Sequence, residues 1–303
     1  MYCGFDPTAR SLHVGNLLAL VSLLHFSISG YPTIALVGGA TGRIGDPSWR
    51  STAKERLGKT LVEENTRSLM GQIGAFLVRA REYIGRLRPV HFNHQTLVLN
   101  QWGWYEGLGL INFLDEVGRN VRVASMIQRD SVKGRLGSEN GLSFAELTYQ
   151  LMQAYDFLYL NRMYNCQLQV GGSDQWGNIV AGIDLIHRVD PTKSAHGLTL
   201  PLLTTGEARE KMGKSAGNAK WLEPSMTSPF DLYQYFMDMS DSDAVKLLPI
   251  LSFRPSSEIR EIIEEHQKDQ GKQLAQTKLA FDVTSLVHSG SLDLKLIFFM
   301  KCF

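Results

Sequence analysis

The feature that most constrains this chain is the alternation, over its first two hundred residues, of short apolar runs with longer stretches of helical periodicity. Runs such as 33–37 and 167–170 are too short for a helix and end in glycine-rich turns. Such runs are typical of buried strands. Strands that alternate with helices predict an α/β fold with a parallel sheet.

The pattern predicts each element in turn. The predicted strands cover 2–5, 33–37, 90–93, 97–100, 167–170 and 198–203. The predicted helices cover 15–29, 54–84, 108–117, 143–160 and the stretch from 176 to about 188. Gly58, Gly71 and Gly74 argue against one unbroken helix over 54–84. Residues 206–217 lack an apolar period and predict a loop.

Composition changes after Trp221. From Pro229 onward the sequence shows only helical patterns. These helices are predicted over 230–239, 242–251, 256–267 and 272–288. We therefore expect a Rossmann-type parallel-sheet domain over 1–222 and a smaller α-helical domain over 223–303, whose last residues, about 289–303, are irregular.

Charge and cysteine usage exclude some classes of protein. The formal net charge is +1 and no polybasic run is present, which argues against a purely electrostatic RNA binder. Cys3, Cys166 and Cys302 lack Cys-x-x-Cys spacing, so neither a disulfide framework nor a zinc site is expected, and a reducing compartment is favoured. The pair His91 and His94 has no companion ligands, and we expect no metal site there.

The two ends of the sequence give expectations about targeting, membrane anchoring and truncation. We expect no signal or transit peptide ahead of the first predicted strand. The apolar stretch 294–303 is too short to span a bilayer. We expect a truncated or misjoined end rather than a membrane anchor.

Two short motifs carry the chemistry. The first, His13-Val14-Gly15-Asn16, lies between a strand and an apolar helix, where a helix N-terminus offers unpaired amide donors to phosphate. Alone, this motif is more often an ordinary helix start. The second, Lys211-Met212-Gly213-Lys214-Ser215, carries two lysines that could neutralise the charge of a departing pyrophosphate. Its simpler interpretation is a solvated basic loop.

Together and in this order, the motifs resemble the His-Ile-Gly-His and Lys-Met-Ser-Lys-Ser signatures of class I aminoacyl-tRNA synthetases. The segments 2–8, 37–42, 150–156 and 171–178 resemble the tyrosyl-tRNA synthetase family in particular. Residues 214–219 are more similar to its mitochondrial branch. Two positions depart from the signatures: Asn16 replaces the second histidine, and Gly213 replaces a serine. We expect Asn16 to keep a hydrogen bond to ATP, although it cannot carry charge.

The resemblance implies a tyrosine pocket. Tyr2 and Asp156 would meet the substrate hydroxyl, which needs polar partners because desolvating it alone costs roughly 1–3 kcal/mol. Asp46, Tyr149 and Gln169 would hold the ammonium group, with Gln153 nearby. Independently of the resemblance, Tyr149, Gln153 and Asp156 share one face of a predicted helix, a polar cluster better explained by a ligand than by chance.

The resemblance also implies the ATP site and the reaction. The implied ATP contacts are Asp6, Thr8, His13, Gly15, Asn16, Gly172, Asp174, Gln175, Lys211, Lys214 and Ser215. Of these, His13, Asn16, Lys211 and Lys214 would be catalytic. Tyrosine and ATP would give tyrosyl-adenylate, and the tyrosyl group would pass to tRNA(Tyr). Magnesium would arrive with ATP, and no permanent cofactor is expected.

Further expectations follow from the same resemblance. They are a homodimer with residues 108–114 at its interface, no membrane association, and a mitochondrial matrix location with the cytoplasm as the alternative. We also expect the small C-terminal RNA-binding domain of these enzymes to be lacking after residue 288, and tRNA charging to be weaker than tyrosine activation.

Three rival interpretations stay open. A tryptophanyl-tRNA synthetase shares the class signatures, but Tyr2 and Asp156 favour a phenol. A non-catalytic RNA-binding relative, of the splicing-cofactor type, is disfavoured by the intact residues Lys211, Lys214, Asp46 and Asp174. A small nucleotidyltransferase would share only the first motif.

Overall fold

The computed structural model describes residues 1–46, 57–128, 132–133, 136, 141–201, 204–205, 210–211 and 219–288. The chain forms two compact units. The first contains 1–10, 33–70 and 97–201, and the second contains 11–32, 71–96 and 202–303. The division into domains 1–222 and 223–303 stays a prediction.

The first unit is built on a five-stranded parallel sheet. Its strands are β1 (Tyr2–Phe5), β2 (Ile34–Val37), β3 (Leu97–Asn100), β4 (Leu168–Gly172) and β5 (His196–Leu200). They lie in the order β3-β2-β1-β4-β5, with all neighbours parallel. Chain order reverses between β1 and β4, which is the position where Rossmann-type sheets bind ligands at the carboxyl ends of the strands. The predicted fold class is confirmed.

Several helices accompany this sheet in the first unit. They are α3 (Trp102–Tyr105), α4 (Leu110–Glu116), α5 (Val123–Ile127), α6 (Phe144–Tyr164) and α7 (Trp176–Val189). Helix α6 begins at a capping box in which Ser143 and Glu146 bond each other's backbone N–H groups. Gly182 lets α7 approach α6 closely, because a Cβ there would press on the ring of Phe157.

Helices also make up most of the second unit. They are α1 (Leu17–Ile28), α8 (Pro229–Met237), α9 (Asp241–Leu251), α10 (Ser256–Lys268) and α11 (Leu274–His288), together with the second half of α2 (Lys59–Leu87). The buried carboxylate of Asp282 on α11 ties them together. It pairs with Arg254 at 2.8 Å and accepts hydrogen bonds from Tyr83 at 2.6 Å and Ser252 at 2.5 Å.

The predicted strands and helices are confirmed with small shifts at their ends, with two exceptions, residues 90–93 and the continuity of α2; the loop predicted over 206–217 is also corrected in part. Residues 90–93 were expected to form a strand and do not. Side-chain contacts from Arg81 stabilise this segment instead. Arg81 donates a hydrogen bond to the carbonyl of His94, and its guanidinium lies 4.8 Å from the centre of the Phe92 ring. Within 206–217, the backbone of Glu210–Lys211 forms β7, which pairs with β6 (Thr204–Thr205); residues 206–209 and 212–218 lie outside the described residues.

The second exception is α2, which runs unbroken through Gly71, Gly74 and Gly85. A Cβ at any of these glycines would meet open space, so they occupy uncrowded positions on the helix. Buried apolar residues on its packed face, including Leu69, Ile73, Phe76 and Ile84, outweigh the low helix propensity of glycine. The predicted start at 54 lies outside the described residues.

Candidate active site

Polar residues follow the carboxyl ends of four neighbouring strands of the first unit. Asp6 follows β1, the Gly38 turn follows β2, Gln101 follows β3, and the turn Ser173–Gln175 follows β4. Carboxyl ends of parallel strands meet at one edge of the sheet, so the topology gathers these residues.

Asp156 is the deepest acidic group at this edge. Helix α6 holds it only 2% exposed. Gln101 Nε2 donates to its Oδ2 at 2.7 Å, and Trp104 Nε1 donates to its Oδ1 at 2.9 Å. Burial raises the pKa of Asp156 to about 7, although the hydrogen bonds from Trp104, Gln101 and Tyr105 lower it. We call Tyr2, Gln101, Trp104 and Asp156 the Asp156 cluster.

Tyr2 is the unsatisfied member of this cluster. It is 1% exposed, and its hydroxyl has no hydrogen-bond partner among the residues the structure describes. Burial raises its pKa well above the usual value, and the charge of Asp156 raises it further. Gln169 lies opposite Tyr2 in the β1–β4 register, and its buried Oε1 also lacks a partner within the described part of the chain. Orphaned buried groups indicate a place for a ligand or water.

Asp6 and Tyr149 form a second pair at this edge. Tyr149 Oη donates to Asp6 Oδ2 and Thr41 Oγ1 donates to Asp6 Oδ1, both at 2.7 Å. Burial raises the pKa of Tyr149 well above its usual value, and the charges of Asp6 and Asp46 add to this. Gly38 is required beside this pair, because a Cβ there would collide with the Asp6 carboxylate and the Thr41 hydroxyl.

Three side-chain amides and one carboxylate form a third group, here called the amide cluster. Gln175 Nε2 donates to Asp46 Oδ2 at 2.7 Å. Gln153 Nε2 donates to Gln175 Oε1 at 3.2 Å. Asn178 Nδ2 donates to Gln153 Oε1 at 3.0 Å and to Gln175 Oε1 at 3.2 Å. The structure therefore brings Asp46, Gln153 and Gln175 together, as residues of one ligand site would be.

The remaining predicted ATP contacts of the first unit lie on β1 and β4. Thr8 is exposed after β1, and its N–H donates to the carbonyl of Asp6 at 2.8 Å. Gly172 ends β4 and precedes the turn that carries a half-buried Asp174. Because β1 and β4 are neighbours in the sheet, their ends are adjacent.

The His13 motif lies in the second unit and is fixed by its own side chains. His13 Nδ1 accepts from the N–H of Gly15, and the N–H of His13 donates to Asn16 Oδ1, both at 3.0 Å. With Nδ1 used as an acceptor, neutral His13 carries its proton on Nε2. Asn16 likewise keeps its Nδ2 amide as a donor. Asn16 thus retains an N–H group suited to an anionic ligand.

The chain after the lysine loop is joined to this motif. His13 pairs with Trp221 in an antiparallel bridge, with the N–H of Val14 donating to the carbonyl of Lys220 at 2.9 Å. The backbone of Lys211 belongs to β7. Lys214 and Ser215 lie outside the described residues.

Four residues of these groups were missed by sequence reasoning: Thr41, Gln101, Trp104 and Asn178. Thr41 and Asn178 lie inside segments that carry the family resemblance, where their types alone suggested no role. Gln101 directly follows a predicted strand, and a polar residue at that position was an available signal. Nothing in the sequence distinguishes Trp104 from an ordinary core residue.

The described residues were also considered as possible metal ligands and membrane-spanning helices. Among the described residues, no group of three or more His, Cys, Asp or Glu side chains could hold a metal ion. No described helix is both long enough and apolar enough to cross a bilayer.

Comparison with known proteins bears on the identity of the chain. The family model of tRNA synthetases class I (W and Y) matches residues 1–303. The chain is 47% identical to the mitochondrial tyrosine–tRNA ligase of Drosophila melanogaster, over 96% of this chain and 63% of that protein. It is 43% identical to the tyrosine–tRNA ligase of Streptomyces coelicolor, over 95% of this chain and 65% of that protein. The chain thus spans less than two thirds of the length of these curated relatives.

A solved structure gives the same result for the fold. The crystal structure of a C-terminally truncated Aspergillus nidulans mitochondrial tyrosyl-tRNA synthetase matches with a TM-score of 0.88 and 33% identity, covering 100% of this chain and 85% of that one. With the family model matching along its whole length, the chain belongs to the class I tRNA synthetases of tryptophan and tyrosine.

Proposed function

We propose that this chain activates tyrosine with ATP and transfers the tyrosyl group to tRNA(Tyr). The observation that carries the proposal is the Asp156 cluster: a buried carboxylate beside a buried tyrosine hydroxyl that lacks a partner within the described residues. A carboxylate offers about four acceptor sites. Gln101, Trp104 and Tyr105 use three of them, so Asp156 can still accept one hydrogen bond from a substrate hydroxyl.

A phenol fits this cluster better than an indole does. A phenol hydroxyl can donate to Asp156 and accept from the hydroxyl of Tyr2 at the same time. The N–H of an indole can only donate, so Tyr2 would keep its unsatisfied proton in the tryptophan complex. Phenylalanine would leave the hydroxyl of Tyr2 unpaired, at a cost of roughly 1–3 kcal/mol, and would offer Asp156 no further donor.

The ammonium group of tyrosine needs oxygen acceptors. Asp46 supplies a carboxylate, while Gln169 Oε1 is buried without a partner among the described residues. Gln153 Oε1 and the Tyr149 hydroxyl add further acceptors at the same edge of the sheet. These groups support the assignment of Asp46, Tyr149, Gln153 and Gln169 to the ammonium.

No protein nucleophile is needed for activation. The tyrosine carboxylate attacks the α-phosphate of ATP, forming the acyl-phosphate bond of tyrosyl-adenylate, and pyrophosphate leaves. The protein acts by positioning and by neutralising charge. We assign His13 Nε2–H, Asn16 Nδ2, Lys211 and Lys214 to the phosphates. ATP binds as its magnesium complex.

The remaining contacts to ATP rest on the family resemblance. Gly15 and Gly172 would leave room for the nucleotide, and Asp174 would bond its ribose. Asp6, Thr8, Gln175 and Ser215 would complete the ATP contacts. In the second step, the terminal adenosine of tRNA(Tyr) would take the tyrosyl group from the adenylate.

A homodimer and a mitochondrial location complete the proposal. Helix α4 exposes Leu110 (70%) and Ile111 (74%), an apolar surface that a second copy of the chain would cover. Sedimentation of the wild type and of Ile111→Asp tests this, since only the variant should be monomeric. The mitochondrial names of several relatives support the location, with the cytoplasm as the alternative.

Tyrosine-dependent exchange of pyrophosphate into ATP is the decisive experiment. We expect exchange with tyrosine and far less with tryptophan or phenylalanine. Lys211→Ala and Lys214→Ala should each raise the activation free energy by about 2–4 kcal/mol and so lower kcat, with tyrosine affinity nearly unchanged. Exchange that prefers tryptophan would support the sibling enzyme. RNA binding without exchange for any of the three amino acids would support the non-catalytic relative.

A further inference from the structure

Asn178 is a buried polar residue that the proposed reaction does not use directly. It lies in the first turn of α7 and is only 4% exposed. Its two amide hydrogens go to two different oxygens, Gln153 Oε1 at 3.0 Å and Gln175 Oε1 at 3.2 Å. One amide group therefore serves both glutamines of the amide cluster.

The carboxylate of Asp46 determines how all three amides are oriented. Gln175 turns Nε2 toward Asp46, whose Oδ2 accepts its hydrogen bond. Its Oε1 then faces inward and needs donors, which Gln153 Nε2 and Asn178 Nδ2 provide. Gln153 must in turn direct Oε1 to Asn178. Asn178 is the one member that donates to both other amides.

This orientation matters because an ammonium group only donates hydrogen bonds. Gln153 Oε1 takes one bond from Asn178 and keeps a second lone pair for a ligand. Without Asn178, Gln153 Oε1 would lose its donor, and only the bond from Gln153 Nε2 to Gln175 Oε1 would keep the Gln153 amide from turning N–H groups toward the ammonium. Gln175 would lose a donor to its Oε1 and with it part of the constraint that turns its Nε2 toward Asp46.

We propose that Asn178 is a positioning residue for amino-acid recognition: it fixes the Gln153 and Gln175 amides so that oxygen atoms meet the substrate ammonium. Asn178 itself does not touch the substrate. This inference rests on the proposed tyrosine activation and adds to it the residue that sets the polarity of the ammonium end.

The test replaces Asn178 by leucine, which has the same branching and the same number of side-chain heavy atoms but no donor, and by alanine, which cannot overpack. In pyrophosphate exchange, both variants should raise KM for tyrosine about tenfold, the effect of roughly one lost hydrogen bond. KM for ATP and kcat should change little. A merely structural role would lower kcat and the amount of folded enzyme without this separation.

Two tyrosine analogues sharpen the test. Tyramine keeps the ammonium and lacks the carboxylate, whereas 3-(4-hydroxyphenyl)propionate keeps the carboxylate and lacks the ammonium. Calorimetry should show that both Asn178 variants weaken tyramine binding about as much as tyrosine binding and leave the propionate unaffected. Equal weakening of the propionate, or no weakening of tyramine, would overturn the proposal.

Asn161 provides the matched control. It is equally buried on α6, and its Nδ2 donates to the carbonyls of Cys166 and Ser194 rather than to the amide cluster. Asn161→Leu should lower thermal stability and leave KM for tyrosine unchanged; an increase as large as that of Asn178→Leu would overturn the inference. A wild type without tyrosine-dependent exchange would overturn the proposed function instead, so the two failures are distinguishable.

Discussion

Under the proposed function, the Asp156 cluster recognises the substrate hydroxyl and the amide cluster recognises the substrate ammonium, and their chemistry differs. In the Asp156 cluster, two rigid donors converge on one buried carboxylate. In the amide cluster, Gln175 donates a hydrogen bond to the half-buried Asp46. Gln153 donates to Gln175, and Asn178 donates to Gln153. Under the proposed function, a neutral hydroxyl would be met by a carboxylate in the core, and a charged ammonium by amide oxygens together with Asp46.

Solvation explains this difference. Burying a carboxylate is costly, so Asp156 needs several donors and still has a pKa raised to about 7. A substrate ammonium brings its own charge, so the amide cluster needs only correctly turned oxygens and one accessible carboxylate. We expect substitutions in the Asp156 cluster to change which amino acid is chosen, and substitutions in the amide cluster to weaken any α-amino acid.

Asp156→Ala should have the greatest effect on the contrast between the two clusters. Loss of a hydrogen bond to a charged group should lower kcat/KM for tyrosine by about 1.5–3 kcal/mol, roughly 10- to 150-fold. Phenylalanine has no hydroxyl to lose a partner, so its activation should fall far less. Exchange rates measured with both amino acids check this. An equal loss for the two would mean that Asp156 is structural.

The raised pKa of Asp156 predicts a pH-dependent stability. Its pKa is about 7 in the folded protein, against a usual value of 3.8. Between these values the folded state keeps a proton that the unfolded state releases, so the stabilisation from Asp156 is complete below pH 4 and is lost as the pH rises to about 7. The slope is at most about 1.4 kcal/mol per pH unit.

Asp156→Asn removes this titration while keeping the shape of the side chain. The difference in unfolding free energy, wild type minus variant, should therefore decrease from pH 4 to pH 7 and then level off. Urea denaturation across this range measures it. A difference that stays constant with pH would show that Asp156 is ionised in the core throughout.

Gln101 offers a smaller perturbation of the same cluster. Its Nε2 donates to Asp156, and its Oε1 accepts from the N–H of Thr41 at 2.6 Å. In Gln101→Leu the pKa of Asp156 should rise above 7, since the lost hydrogen bond lowered it. KM for tyrosine should increase about tenfold near pH 7 and recover partly at higher pH.

Gln72→Leu is a suitable control for this prediction. Gln72 Oε1 accepts from the N–H of Leu12 at 2.8 Å, a similar amide-to-backbone bond in the second unit. Its substitution should cost stability without shifting the pH profile of the tyrosine KM. A pH profile of Gln101→Leu identical to that of the wild type would contradict the assigned role.

The fold class could be predicted from the sequence because it depends on local patterns, whereas the pocket residues were predicted mainly from the family resemblance and stay a prediction. Apolar runs predicted the strands, and the spacing of Tyr149, Gln153 and Asp156 predicted that these three residues share one helical face. The partners of those residues depend on contacts between distant segments. Gln101 and Asp156 are 55 residues apart, and only the packing of β3 against the rest of the sheet brings them together. Local pattern alone was misleading at residues 90–93, which were predicted to form a strand and do not.

The smallest effect, and the one that separates stability from recognition, is expected from Tyr2→Phe. The Tyr2 hydroxyl is buried without a partner in the described structure, so removing it should raise the free energy of unfolding of the substrate-free protein by about 1 kcal/mol. The same change removes the donor that the substrate hydroxyl would accept from, so tyrosine affinity should fall about fivefold while phenylalanine affinity stays equal or rises. Thermal denaturation with and without tyrosine measures both signs on one preparation. A variant that is less stable without ligand would show that the hydroxyl is already bonded in the free protein, and the Asp156 cluster would then resemble the self-satisfied amide cluster rather than contrast with it.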